Sequence, residues 1–468
     1  MEDIKRIRVA FVPLETTFIG LPRALLFNMM YRDSCNGKII LRIDDTDKSR
    51  ARQERLKTVF DTLHWLGINW DEGPDIGGLY PPYIQSERTE TYKDAAKKLI
   101  KQKKAYHCFC RYTDEHHGCV NDCYNLTPKE IDTRINNDVP FCVRFRLDHS
   151  EQTYTDLVHG TIHSKLEDVS DPVIIRNDGS PTFHLATAVD EGALHITHIL
   201  RGVDHIESAF IQLQLMDSLN VSLPQYLHFS IFEQKGLNIY NDNLKGQYDA
   251  EYLRNKGFLA KAIVNFLITS GYQPKIVEDC SLYSYSDFLK SFSIKNFSKS
   301  NQQYDYMRLL SLNKKWIHHI SNEEFISIVK EYFIHIGYDC HEVSDDILIA
   351  FKKHIEILED LKRKIDILYD DSLITKNILS SEVKECIPFI TYLIDVLGKD
   401  NEWTESTIKN FITQYSGTIA IKQRYECLRH IITLNEKCGS ILEIISLMGK
   451  KRTLARLNRI YYLINHGG

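Results

Sequence analysis

Lys38-Ile39-Ile40-Leu41-Arg42-Ile43-Asp44-Asp45-Thr46-Asp47 decides the fold of this chain, because an apolar, β-branched run ends abruptly in four polar residues. Upstream stand a second apolar run, Ile7 to Val12, a break at Pro13, and helix-forming Leu21 to Arg32. Strand, loop, helix and strand in that order predict a βαβ unit with parallel strands. Ligands in open parallel sheets bind beyond the carboxyl ends of the strands, so the loop at 13–20 and the acidic cluster at 44–47 predict the position of a site. Leu56, Val59, Phe60, Leu63 and Leu66 then share one face of an amphipathic helix, and Gly67 is its stop.

Outward from this unit, 468 residues exceed what one hydrophobic core can organise and leave room for roughly three or four domains. Hydrophobic residues make up 43% and charged residues 26%, a balance that excludes wholesale disorder. Lys and Arg total 58 against 63 Asp and Glu, so any polyanion site has to be a local patch. The start lacks an apolar signal-peptide core, and no apolar run reaches the ~18 residues of a membrane span, which predicts a cytoplasmic location and no membrane partner.

Residues 106–190 are less regular, with short β-rich runs at Phe141 to Leu147 and Pro172 to Arg176, and read as an insertion. From about 257 helical periodicity takes over, as in Phe258, Leu259, Ala262, Ile263 and Phe266, or Leu358, Leu361, Ile365 and Leu368. Eleven cysteines form no disulfide framework, but Cys108, Cys110, Cys119 and Cys123 crowd together with short spacings. Four thiolates so placed suit a closed tetrahedral zinc site, with His107, His116 and His117 as alternate ligands; buried free thiols are the other reading.

Several ordered runs carry a family resemblance. They are Leu41-Arg42-Ile43-Asp44-Asp45-Thr46-Asp47, Trp65-Leu66-Gly67-Ile68-Asn69-Trp70-Asp71-Glu72-Gly73-Pro74 and Gln85-Ser86-Glu87-Arg88. Arg176 to Ala186, Ile196 to Gly202 and Gly257 to Ala262 follow. In order and spacing they resemble the full-length bacterial glutamyl-tRNA synthetases, and Trp403 with Leu447 to Leu463 resembles that family's anticodon-binding end. The resemblance implies an α/β Rossmann-type catalytic domain with an α+β insertion, followed by an all-α C-terminal region. The expected bounds are 1–105 with 191–250 for the catalytic domain and 106–190 for the acceptor-stem insertion. A stem-contact helical domain is expected over 251–320 and an anticodon-binding-like region over 321–468.

The family reaction joins glutamate to the α-phosphate of Mg-ATP and then to tRNA(Glu), a step that rests on positioning and on stabilising phosphate charge. The family places a His-Ile-Gly-His stretch at a helix N-terminus to meet those phosphates. This chain has Phe18, Ile19, Gly20 and Leu21 there, with no side-chain donor at either histidine position. The family's mobile Lys-x-Ser-Lys loop is also altered, leaving Lys235 and Lys245 to flank the region. By the same alignment the glutamate-reading Arg falls at Ala10, a Ser at Leu14 and a Tyr at Phe183. Asp44 replaces a Glu, and Thr187 and Arg201 complete the substrate-pocket positions. Helix capping by Asp44, Asp45 and Asp47, and a structural ion pair for Arg201, are the alternatives for these residues.

Lys362, Arg363, Lys364, Lys450, Lys451, Arg452, Arg456 and Arg459 form basic clusters suited to tRNA phosphate, or are solvated helix faces. Three functional readings stay open: a divergent glutamate–tRNA ligase, a non-catalytic tRNA-binding paralogue that serves as a binding, regulatory or assembly module with a protein partner as one option, or an enzyme with a changed substrate. A monomer is expected in each.

Overall fold

The computed structural model describes residues 4–47, 49, 51–110, 119, 122–164, 166, 168–233, 246–274, 282–374, 381–399, 402–436 and 439–466. The chain divides into two compact units, Met1–Tyr252 with Ile263–Asp305, and Leu253–Ala262 with Tyr306–Gly468. The first unit runs β1 (Arg6–Phe11), α1 (Gly20–Cys35), β2 (Lys38–Ile43), α2 (Leu56–Trp65), α3 (Thr89–Lys101), β3 (Ala105–Cys108), α4 (Pro128–Asn136), β4 (Cys142–Phe145), β5 (Thr153–Asp156), β6 (Gly160–His163), β7 (Val173–Ile175), α5 (Phe183–Ala193), β8 (His198–Gly202), α6 (Ile206–Leu219) and β9 (Gln225–Phe229).

The βαβ unit forms as its hydrophobic pattern requires. β1 and β2 pair in parallel from Arg6↔Lys38 to Phe11↔Ile43, and Ile39, Ile40, Leu41 and Ile43 are fully buried, as befits a strand covered on both faces. α1 packs Leu25, Leu26, Phe27, Met29 and Met30 inward and ends at left-handed Asn36. Gly37 follows because a Cβ there would lie 2.9 Å from the Lys5 carbonyl oxygen. The sheet order is β2-β1-β8-β9-β5-β6, parallel up to β5, with β6 antiparallel to β5.

Residues 106–190 contribute to two sheets. β3, β4 and β7 form a separate antiparallel sheet that carries the cysteines, whereas the β5–β6 hairpin joins the main sheet through Asp156↔Tyr226. Among the described residues the second unit is helical. Its helices include Tyr306–His319, Asn322–His335, Leu358–Tyr369, Ile387–Lys399 and Ile421–Thr433. The stretch Ile441–His466 is broken at Gly449, whose φ of 78° no helix accepts. Leu358, Leu361, Ile365 and Leu368 form the expected buried stripe. No described helix is long and apolar enough to cross a membrane.

Candidate active-site cleft and cysteine cluster

Side chains alternate along a strand, so the observed register places Arg8, Ala10, Ile40, Arg42, Ile199, Arg201, Tyr226 and His228 on one face of the sheet. α5 lays Thr187, Asp190 and Glu191 against that face. Arg8 meets Glu191 Oε1 through Nε at 2.9 Å and a terminal nitrogen at 2.8 Å. Arg42 grips Asp44 with two bonds of 2.6 and 2.9 Å and donates to Thr187 Oγ1 at 3.4 Å. Arg88 pairs with Asp190 at 2.8 Å. Buried charges demand such partners, since truncating one leaves the other without compensation.

Arg201 differs from its neighbours. Its Nε donates to His228 Nε2 at 3.2 Å, one terminal nitrogen to Gln212 Oε1 at 2.9 Å and the other to the His205 carbonyl at 3.1 Å. All three partners are neutral, and among the described residues no carboxylate pairs with it. Burial pulls its guanidinium down to about 10, so it stays charged at neutral pH.

A cleft of about 400 Å³ opens at the carboxyl ends of β1 and β8 and is lined by Arg8, Ala10, Phe18, Gly20, Arg201 and His205, among others. Ala10 lines the cleft, and the guanidinium on β1 belongs to Arg8, two residues earlier. A displacement of two residues keeps the same strand face, and an Arg inside the apolar run Ile7 to Val12 was the available signal. Leu14, Asp44, Phe183 and Thr187 do not line the cleft. Asp44 is spent on Arg42, and Phe183 opens α5 with its ring 5.6 Å from that of His184 and 6.0 Å from that of His205. Glu191 and His205, absent from the sequence reading, complete the surroundings.

The capping alternative for the aspartates is also corrected. Arg55 precedes α2 and makes no side-chain cap bond. Asp45 instead accepts from Ser86 N and Oγ, both at 2.7 Å, and from Gln53 at 2.6 Å. Asp47 accepts from Ser49 N at 3.0 Å.

The opposite wall of the cleft is the mouth of α1. Residues 17–19 are held by Ile19 N–H to the Tyr248 carbonyl and Ala250 N–H to the Thr17 carbonyl, both 2.9 Å, which aims Phe18 into the cleft lining. Ile19 precedes the helix without a side-chain cap. Leu21 N–H is spent on the Phe18 carbonyl at 2.9 Å and Pro22 has no N–H, so among the first three helical residues only Gly20 keeps a donor for an anion. Ile19 lines the cleft and Leu21 does not. Lys235 and Lys245 lie outside the described residues.

In the smaller sheet, the Sγ atoms of Cys108, Cys110, Cys119 and Cys123 all lie within 4.8 Å of one another. Cys110 stands 3.8 Å from both Cys119 and Cys123. Zinc–sulfur bonds of about 2.3 Å give a tetrahedron with edges of about 3.8 Å, so these residues fit the metal. His107 packs its ring against Phe109 and Phe141; His116 and His117 lie outside the described residues.

Among the basic residues of the second unit, Lys364 and Arg456 are buried, which corrects their assignment to phosphate contact. Lys364 faces Glu436 at 3.6 Å, and Arg456 donates through Nε to the Ile431 carbonyl at 3.0 Å. Arg452 binds the Leu368 and Tyr369 carbonyls and Asp371, and Lys362 pairs with Asp366. Lys450 reaches the Gly398 carbonyl, while Arg363, Lys451 and Arg459 are exposed.

Residues 6–311 match the family model for the catalytic domain of class I tRNA synthetases for E and Q, and residues 311–461 match an anticodon binding domain. The chain is 27% identical to a glutamate–tRNA ligase 2 of Caldicellulosiruptor saccharolyticus over 97% of its own length and 98% of that relative. It is 28% identical to a glutamate–tRNA ligase of Natranaerobius thermophilus over 98% of each. In fold it is similar to a glutamate tRNA ligase from Elizabethkingia meningosepticum, with a TM-score of 0.78 and 21% identity over 99% of this chain and 100% of that one.

Proposed function

Since the chain belongs to the class I tRNA synthetases for glutamate and glutamine, we propose that it binds tRNA(Glu) and an acidic amino acid but activates that amino acid poorly or not at all. The observation that carries this reading is Phe18 at the mouth of α1, lining the cleft where the family reaction needs donors to phosphate. Each lost donor of this kind withdraws about 2.7–4 kcal/mol of transition-state stabilisation. Pro22 deepens the deficit by removing a backbone N–H from the same turn. Arg201, charged and bonded only to neutral groups, supports retention of carboxylate reading on the other wall.

The four cysteines would hold zinc as a structural ion, tying β3 to the turn at Cys123 and taking no part in the reaction. Exposed Arg363, Lys451 and Arg459 are the side chains of the helical unit best placed to meet tRNA phosphate. Arg8 and Arg201 also favour a second reading, a slow divergent glutamate–tRNA ligase, because the amino-acid side keeps its charges. Calorimetry of ATP binding with and without tRNA and glutamate, together with glutamate-dependent pyrophosphate exchange, separates the two. Weak ATP binding and no exchange are expected; micromolar ATP affinity with adenylate formation overturns the first reading in favour of the second.

A further inference from the structure

Behind Arg201 stands a buried chain of groups drawn from a different part of the sequence. Asp156, on the β5–β6 hairpin, and His228, on β9, are both sealed from solvent, with Asp156 Oδ2 2.9 Å from His228 Nδ1. The same oxygen accepts the His228 backbone N–H at 2.8 Å, and Oδ1 accepts Val158 N–H and His159 N–H, each at 2.8 Å. Four donors fix this carboxylate in place. His159 Nε2 lies 3.1 Å from the His228 carbonyl, a second tie between the hairpin and β9.

The direction of each bond follows from chemistry. Arg201 Nε–H can only donate, so His228 Nε2 must accept and its proton must sit on Nδ1, pointing to Asp156. Of the five N–H groups of Arg201, three are spent, on His228, Gln212 and the His205 carbonyl, which leaves two for an anion in the cleft. The imidazole holds the guanidinium without neutralising it, whereas Glu191 sits directly on Arg8.

We infer that Asp156 and His228 are positioning residues for Arg201: Asp156 fixes the Nδ1–H tautomer of His228, and His228 thereby aims an uncompensated guanidinium at the acidic side chain of the substrate. This rests on the reading that the cleft takes an acidic amino acid. With Asn at 156, the amide N–H would favour the Nε2–H tautomer, which turns an N–H toward the Arg201 N–H and displaces the guanidinium.

The test uses the full chain with ¹⁵N-labelled histidine to read the His228 tautomer by NMR, and calorimetry to measure L-glutamate affinity. The wild type should show Nδ1–H. Asp156→Asn should shift the tautomer and weaken glutamate binding about tenfold or more. His228→Leu should weaken it similarly, while His228→Gln should restore it, because an amide can accept from Arg201 and donate to Asp156. An Nε2–H tautomer in the wild type overturns the inference, as does Asp156→Asn binding glutamate like the wild type, or His228→Gln failing as His228→Leu does. If the wild type binds no glutamate, the reading of the pocket falls on its own and the tautomer still decides the relay.

Discussion

The two walls of the cleft have been treated differently by this sequence. On the sheet wall, Arg8 and Arg42 each bond to buried carboxylates, and the neighbouring Arg6 closes a two-bond pair with Glu72 at 2.6 and 3.0 Å. On the helix wall, Phe18 and Ile19 are tied by backbone bonds, and their apolar side chains carry no part of the fold's hydrogen bonding. These sheet charges hold the fold together, Arg8 also lining the cleft, and losing one removes the main partner of a buried carboxylate. Apolar residues at the helix mouth leave no buried charge without its partner.

The largest effect should therefore come from the sheet wall. Arg8→Ala strips Glu191 of its two shortest contacts, leaving Arg42 at 3.4 Å, and should lower folding stability by about 3 kcal/mol in denaturant titration, with Phe18→Ala close to neutral in the same assay. Equal losses in the two variants would erase the distinction. Phe18→His works in the opposite sense. It restores one donor at the α1 mouth and should raise glutamate-dependent pyrophosphate exchange by about 10²-fold with little change in stability. No gain would place the deficit elsewhere, with Pro22 or the loop that carries Lys235 and Lys245 as the next positions to change.

The cysteine cluster provides a third region for the comparison, its four sulfurs spaced as zinc would require and none of them lining the cleft. Cys110→Ser should lower zinc content, read by elemental analysis, and cost about 2–3 kcal/mol of stability. Unchanged metal content would leave the four thiols as a buried sulfur cluster.

Legibility followed locality. The strands at Ile7 and Lys38 and the stripe of Leu358, Leu361, Ile365 and Leu368 announced themselves through short-range periodicity. Arg8 was missed because a displacement of two residues keeps the same strand face, and its bond to Glu191 spans 183 residues that no local motif connects. Lys364 and Arg456 read as surface charge because composition does not reveal which long side chains are drawn inward toward Glu436 and a carbonyl. Asp156 and His228 are 72 residues apart and share no motif, so the β5–β9 pairing is what brings them together.

The smallest expected effect concerns how the sheet wall responds to acid. Burial tends to raise the Glu72 carboxyl, but hydrogen bonds from Arg6 and Tyr83 outweigh it and hold the group at about 2 instead of the ordinary 4.5. A depressed carboxyl contributes fully above the unfolded value and loses that contribution as pH falls through the folded one, so the window is pH 4.5 down to 2. Denaturation midpoints should decline across that window in the wild type, and Glu72→Gln should flatten the decline while lowering stability at neutral pH. Phe18→Leu exchanges one untitrating side chain for another, so it should leave the slope between pH 4.5 and 2 unchanged. A change of slope there would mean that the two walls are energetically linked, and that the helix mouth carries more of the fold than its hydrogen bonds reveal.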